Sequence, residues 1–311
     1  MKHRLIFLAT LCFFSFQLIP THSSAELVPS TDTNPTTQIF NTSREFSIAS
    51  APHYLPKISY SRKEKDIIRK EAKKFQSKIL KTFTEPELRR AADLCLALDW
   101  KDEAIKYLQK LEKISKNTTV VKNVKLEIAD ITFLKGDLKE AGKLYDEYSS
   151  LYPGDKEKAA YAQYKGILSN YYCMLTNDRD QTRTLKTIAL ADSFLEHKSS
   201  LFKKYASYVR SIKTNCFTHL YEHESHIFEF YFKKKSYKAA KTRLASMHTN
   251  LLPHLPQIEA PLLQYEYRIA QAEKDTQRAL KIATDIAHRF PKQATQIAHK
   301  PSPNRNYVDR F

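Results

Sequence analysis

From Arg62 onward the apolar positions recur at helical spacing, beginning with Ile67, Ile68, Phe75, Ile79 and Leu80. The period never changes to the alternation of a strand. It predicts helices over about 62–82, 85–98, 101–115, 120–135, 137–150, 156–175, 180–197, 201–232, 235–249, 257–273 and 275–290. Short polar breaks separate them. Pro153-Gly154, Pro253, Pro256 and Pro291 each follow a predicted helix, where a ring without an N–H stops continuation. Leu134-Lys135-Gly136-Asp137 marks another break. Residues 26–60 and 293–311 lack this periodicity. The first is rich in Ser, Thr, Pro and Asn and reads as a flexible arm, because it has too little apolar surface to offset the entropy of ordering it. The second reads as a polar tail.

The helices repeat. Ala104, Ala141, Ala240 and Ala279 stand at equivalent places in four second helices of pairs. A small residue there lets two helices cross closely. One turn later come Leu108, Tyr145, Leu244 and Ala283, expected to fill the layer between pairs. Pro153 and Pro291 follow twelve residues after Ala141 and Ala279. These are tetratricopeptide marks, and Gly136–Pro153 is the best single copy. The expected fold is all-α: a tetratricopeptide-like α-solenoid of about five helix pairs over 61–292, forming a right-handed superhelix with a concave groove. The pair over 156–197 is degenerate but of fitting length.

Composition narrows the alternatives. Only 4 of 311 residues are Gly, too few for the tight hairpins and phosphate-cradling loops of β, Rossmann or P-loop folds. The net charge of +17 would suit an acidic partner, but the Lys and Arg residues are spread along the chain without an aromatic-interleaved motif, so nucleic acid is not expected.

Residues 1–25 read as a signal peptide. Lys2, His3 and Arg4 form a positive start, Leu5 to Ile19 a short apolar run, and Ser23-Ser24-Ala25 a cleavage site. Export out of the cytoplasm follows, with the mature chain beginning near Glu26. The cysteines left are Cys95, Cys173 and Cys216, an odd number that cannot pair fully within one chain. All three are expected as buried free thiols in apolar helices. Cys12 is not expected to carry a lipid, because Leu11 precedes it where a small residue is needed and the apolar run continues past it.

Candidate chemistry is sparse. His219, His223 and His226 recur at one-turn spacings and form a weak candidate zinc site, although the spacing is not that of His-Glu-x-x-His. A polar stripe on a long helix is the favoured reading of them, and no nucleophile occurs in a strained-turn motif. Neither catalysis nor a cofactor is expected. Asn41 and Asn117 open Asn-x-Ser/Thr triplets that carry no weight outside a glycosylating host.

A sharper signal is Glu224-Ser225-His226-Ile227-Phe228-Glu229-Phe230-Tyr231-Phe232 followed by Lys233 to Arg243. Together with Arg179-Asp180-Gln181-Thr182 and Tyr161 to Gly166, it resembles the BamD family, tetratricopeptide components of the outer-membrane β-barrel assembly machine. The resemblance covers about 120–291. It implies five repeats and a scaffold on the periplasmic face of the outer membrane, peripheral to the bilayer. It implies as partners a BamA-like barrel subunit, unfolded outer-membrane proteins and other subunits of the assembly machine. The Arg closing the fourth-repeat motif, which contributes to the BamA contact, falls on Arg243. Two departures stand out: the missing lipid box, which leaves attachment to the partner or to basic surface on anionic head groups, and a weak first repeat around Ala104. The other readings are a periplasmic tetratricopeptide adaptor for cell-envelope division or peptidoglycan enzymes, and an enzyme with a helical metal site.

Overall fold

A computed structural model describes residues 60–78 and 82–291. Eleven α-helices occupy them, with no strand among the described residues. They are α1 (Arg62–Gln76), α2 (Glu85–Ala97), α3 (Lys101–Ile114), α4 (Thr118–Leu134), α5 (Leu138–Leu151), α6 (Lys156–Tyr172), α7 (Thr182–Glu196), α8 (Ser200–Lys233), α9 (Tyr237–Asn250), α10 (Glu259–Ala272) and α11 (Thr276–Arg289). Helices α2 to α11 make five antiparallel pairs in chain order, each helix packing on its sequence neighbours, and α6 packs additionally on α8. This is the all-α tetratricopeptide-like solenoid. The signal peptide, Cys12, the arm short of Tyr60, Asn41 and the tail all lie outside the described residues.

The turn inside a pair is built the same way four times. Asp99, Gly136, Lys235 and Lys274 each adopt a left-handed conformation, with φ of 62°, 87°, 59° and 60°. Each stands five residues before its small residue: Ala104, Ala141, Ala240 or Ala279. The left-handed residue reverses the chain and closes the preceding helix. In three pairs the next amide donates back across the turn, from Trp100 to Cys95 O, Ser236 to Tyr231 O and Asp275 to Ala270 O. The small residues are all buried, and Leu108, Tyr145 and Leu244 bury one turn later. Ala283 does not: it is only half-buried, and Ile282 and Ile286 fill the layer in α11 because the pair ends the described array.

Several boundaries moved. Helix α1 stops at Gln76 rather than about 82, with Ser77 capping it through an amide bond to Lys73 O. Helix α6 stops at Tyr172, three residues early. Ser169 and Asn170 side chains donate back to Lys165 O and Gly166 O in its last turns, and the 173–181 loop takes over. Helix α4 starts two residues early at Thr118, because Asn117 Oδ1 accepts from the Thr119 amide. The Asn-x-Thr triplet at Asn117 is therefore a helix cap. Cys95 and Cys216 are buried free thiols, pushed up by burial to about 11 and about 12. Cys173 is also free but only half-buried, since it caps α6 instead of lying within it.

Candidate functional site

The fourth pair and its junction with the fifth carry the most distinctive arrangement. Helix α8 is 34 residues long, about twice its neighbours, so its C-terminal half reaches α10. Phe228 is fully buried and stacks on Tyr265 of α10 at 4.2 Å. Glu229 takes Arg268 in a two-point ion pair at 2.5 and 2.9 Å. The Arg268 guanidinium lies 4.4 Å from the Phe232 ring centre, and Phe232 packs on Tyr237 at the start of α9. Thus Phe228, Glu229 and Phe232 clamp the fifth pair onto the fourth. Their spacing follows from helix geometry: 228, 229 and 232 fall on one side of α8, while Phe230 on the other side is 55% exposed.

Arg243 sits two turns into α9. Its Nη1 lies 3.6 Å from Glu224 Oε2, too far for a hydrogen bond, and its side chain is 40% exposed. A guanidinium has five N–H donors, so this loose pair leaves the fork available to an incoming carboxylate. The Glu224–Arg243 pairing joins the two ends of the segment that carries the sequence motif.

The three histidines do not converge. His219 Nδ1 is 2.9 Å from Gln181 Oε1, and His223 Nδ1 is 2.5 Å from Asn177 O. His226 is exposed, near Asp178. Burial lowers the His219 pKa and favours its neutral ring. No group of three His, Cys, Asp or Glu among the described residues could hold a metal ion. The ring nitrogens instead tie down the 173–181 loop, which Asn177 also anchors through a 3.3 Å bond to Glu222. Arg179-Asp180-Gln181 ends this loop and Thr182 begins α7. Asp180 accepts from the Thr182 amide and hydroxyl and so opens α7, while Arg179 is exposed. The degenerate third pair thus replaces the left-handed turn with a loop pinned by α8.

Sequence reasoning missed a buried polar cluster between the second and third pairs. Asp130 on α4 accepts from Tyr145 at 2.6 Å and Tyr161 at 2.7 Å, through the same carboxylate oxygen. Lys165 on α6 has no exposed surface, and its Nζ lies 3.5 Å above the Phe133 ring centre. That nitrogen has no hydrogen-bond partner among the described residues, and neither has Asp130 Oδ2. Burial raises Asp130 to about 6 and lowers Lys165 to about 8. Nearby, α5 and α6 approach so closely that a Cβ on Gly166 would stand 2.8 Å from Asp146 Oδ1. The only advance signal was Asp130 and Lys165 on apolar helix faces.

Residues 89–282 match the profile of a family described as YfiO, outer membrane lipoprotein. The match covers more than half of the chain and runs from within α2 to within α11, through all five pairs. The chain belongs to the YfiO family. This is the BamD-type family that the 224–243 segment resembles, and membership places the chain among outer-membrane lipoproteins of that type. The matched span lies well downstream of Cys12. No curated protein matches the chain. No described helix is long and apolar enough to cross a membrane.

Proposed function

We propose that this YfiO-family chain is a non-catalytic scaffold of outer-membrane protein assembly, held at the periplasmic face of the outer membrane. It binds a BamA-like barrel subunit and unfolded barrel proteins. The observation that carries this reading is the family match through all five pairs in unbroken order. The fourth pair supplies the candidate contact: Arg243, half-exposed and only loosely engaged by Glu224, offers its fork to a partner carboxylate. The clamp of Phe228, Glu229 and Arg268 keeps that pair rigid against the fifth, so the contact surface is preformed and little ordering entropy opposes binding. The signal peptide at 1–25 serves export: cleavage after Ala25 removes Cys12, whereas processing as in the family's lipoproteins would retain a lipid-bearing cysteine.

Affinity capture from envelope extracts should recover the barrel subunit. Recovery of peptidoglycan enzymes alone would sink the proposal in favour of a cell-envelope adaptor. Replacing Arg243→Glu should weaken capture of the barrel subunit by about tenfold or more, since it sets like charges against each other. Undiminished capture would remove Arg243 from the contact and leave the family reading in place. Mass measurement of the mature chain reads both the cleavage site and any lipid on Cys12.

A further inference from the structure

Helix α1 stands ahead of the first pair and belongs to none of the five. Ala72 is its one buried residue, turned toward the fold, with Ile68 and Phe75 partly buried. Lys63, Ile67, Lys70 and Lys74 follow at i, i+4, i+7 and i+11, a stripe on nearly the opposite side. All four are exposed, and Ile67 keeps 66% of its surface. Residues 62–78 hold eight Lys and Arg against three acids. Those three acids are engaged elsewhere or capped. Asp66 pairs with Arg69, Glu71 takes a two-point bond from Arg90 of α2, and Glu64 closes the cap with Ser61. Lys78 is spent on Glu87. Lys63, Lys70 and Lys74 make no ion pair among the described residues. Beside the stripe lies a shallow concavity of about 650 Å³, lined by Ile67, Lys70, Glu71, Lys74, Phe75 and Lys78.

We infer that this face of α1 docks on a bilayer surface bearing anionic phospholipid headgroups. Unpaired ammonium groups flanking one exposed branched apolar side chain match the chemistry of that surface. The lysines meet phosphoryl oxygens, and Ile67 enters the boundary of the acyl region. An acidic protein would use the lysines but has no need for a projecting Ile67, so the pattern favours lipid. The Glu71–Arg90 bonds and the buried Ala72 fix the helix on the first pair, so docking α1 would orient the whole array on the membrane. The inference is independent of the BamA contact, which lies on the fourth pair.

The test is flotation of the purified full chain with two kinds of vesicle, phosphatidylcholine alone and phosphatidylcholine mixed with phosphatidylglycerol. Binding is expected to the mixed vesicles only and should fall with added salt. The double variant Lys70→Glu/Lys74→Glu should bind about tenfold more weakly or worse, with unchanged helical circular dichroism because both positions are exposed. Ile67→Ser should weaken binding severalfold at constant charge. Failure of the parent chain to bind mixed vesicles would overturn the inference, as would binding that survives the double reversal. Full competition by polyglutamate, with Ile67→Ser as tight as the parent, would identify an acidic-polypeptide surface instead. Competition by inorganic phosphate alone at matched ionic strength would reduce the site to one for free phosphate.

Discussion

Asp130 and Lys165 face each other's field inside the solenoid, and each is held away from its ordinary pKa mainly by burial. The signs are opposite in pH. Asp130 is raised from 3.8 to about 6, so its contribution to stability is fully present below its unfolded value and is lost as pH rises through about 6. Lys165 is lowered from 10.5 to about 8, so its contribution is present above the unfolded value and is lost as pH falls through about 8. Near neutrality both charges are buried, and only their mutual attraction and the tyrosine hydroxyls on Asp130 offset the cost. Asp130→Asn keeps an acceptor for Tyr145 and Tyr161 but cannot ionise. Its stability, followed by urea unfolding between about pH 4 and pH 7, should lack the decline of the parent, a difference of roughly 1–3 kcal/mol. Parallel curves would show that the carboxylate is not buried as described. The double variant Asp130→Asn/Lys165→Met should be at least as stable as the parent at neutral pH, because an apolar chain of similar length suits the Phe133 face better than an unpartnered ammonium.

At the scale of elements, the turn and the clamp decide how pairs form and stack. Lys235 and Lys274 hold the left-handed conformation without the freedom of glycine, at a cost of about 1–2 kcal/mol each. Lys235→Gly should therefore raise the melting temperature, with a gain below about 1 kcal/mol once glycine's extra unfolded-state entropy is counted. Gly136→Ala should lower stability by a similar amount, although a Cβ there meets nothing within 4 Å. A thermal scan of both variants compares the two signs directly. Arg268 joins the fourth and fifth pairs by charge and by packing over Phe232. It is about one-third exposed, which screens the ion pair, so most of its worth lies in packing and geometry. Arg268→Ala should cost about 1–2 kcal/mol, and Arg268→Lys should recover only part of it, because an ammonium cannot form the two-point bond. Equal stability of Arg268→Lys and the parent in urea unfolding would reduce the fork to a point charge.

For the solenoid as a whole, contacts run between neighbours, so stability should be graded along the chain. Helices α6 and α8 share an additional packing, and the buried Asp130–Tyr145–Tyr161 cluster ties the second pair to the third. Amide exchange should be slowest in α4 to α8 and fastest in α1 and α11, each of which has neighbours on one side only among the described residues. Uniform protection across all eleven helices would mean that the array opens as one unit. The same gradient bears on the proposed contact: a rigid centre would hold the fourth-pair surface in place.

The sequence by itself determined that the chain is helical, that it is paired, and which family it belongs to. Helicity and pairing depend on local period, on small residues at fixed offsets and on proline after a helix, and the family on the resemblance of short segments such as 224–243, all written in neighbouring positions. The left-handed turns were half legible: Gly136 declared itself, while Asp99, Lys235 and Lys274 gave no composition cue because an unfavourable φ is imposed on them by the packed helices on either side. Arg243 was legible as part of a motif, but its partner Glu224 and its exposure required the crossing of α8 and α9. The histidine spacing was legible too, and only the folded chain showed that His219 and His223 contact the 173–181 loop. Asp130 and Lys165 stood in plain view on apolar faces. That they lie in one buried field was decided by tertiary structure alone, because helices 35 residues apart come together only when successive pairs stack.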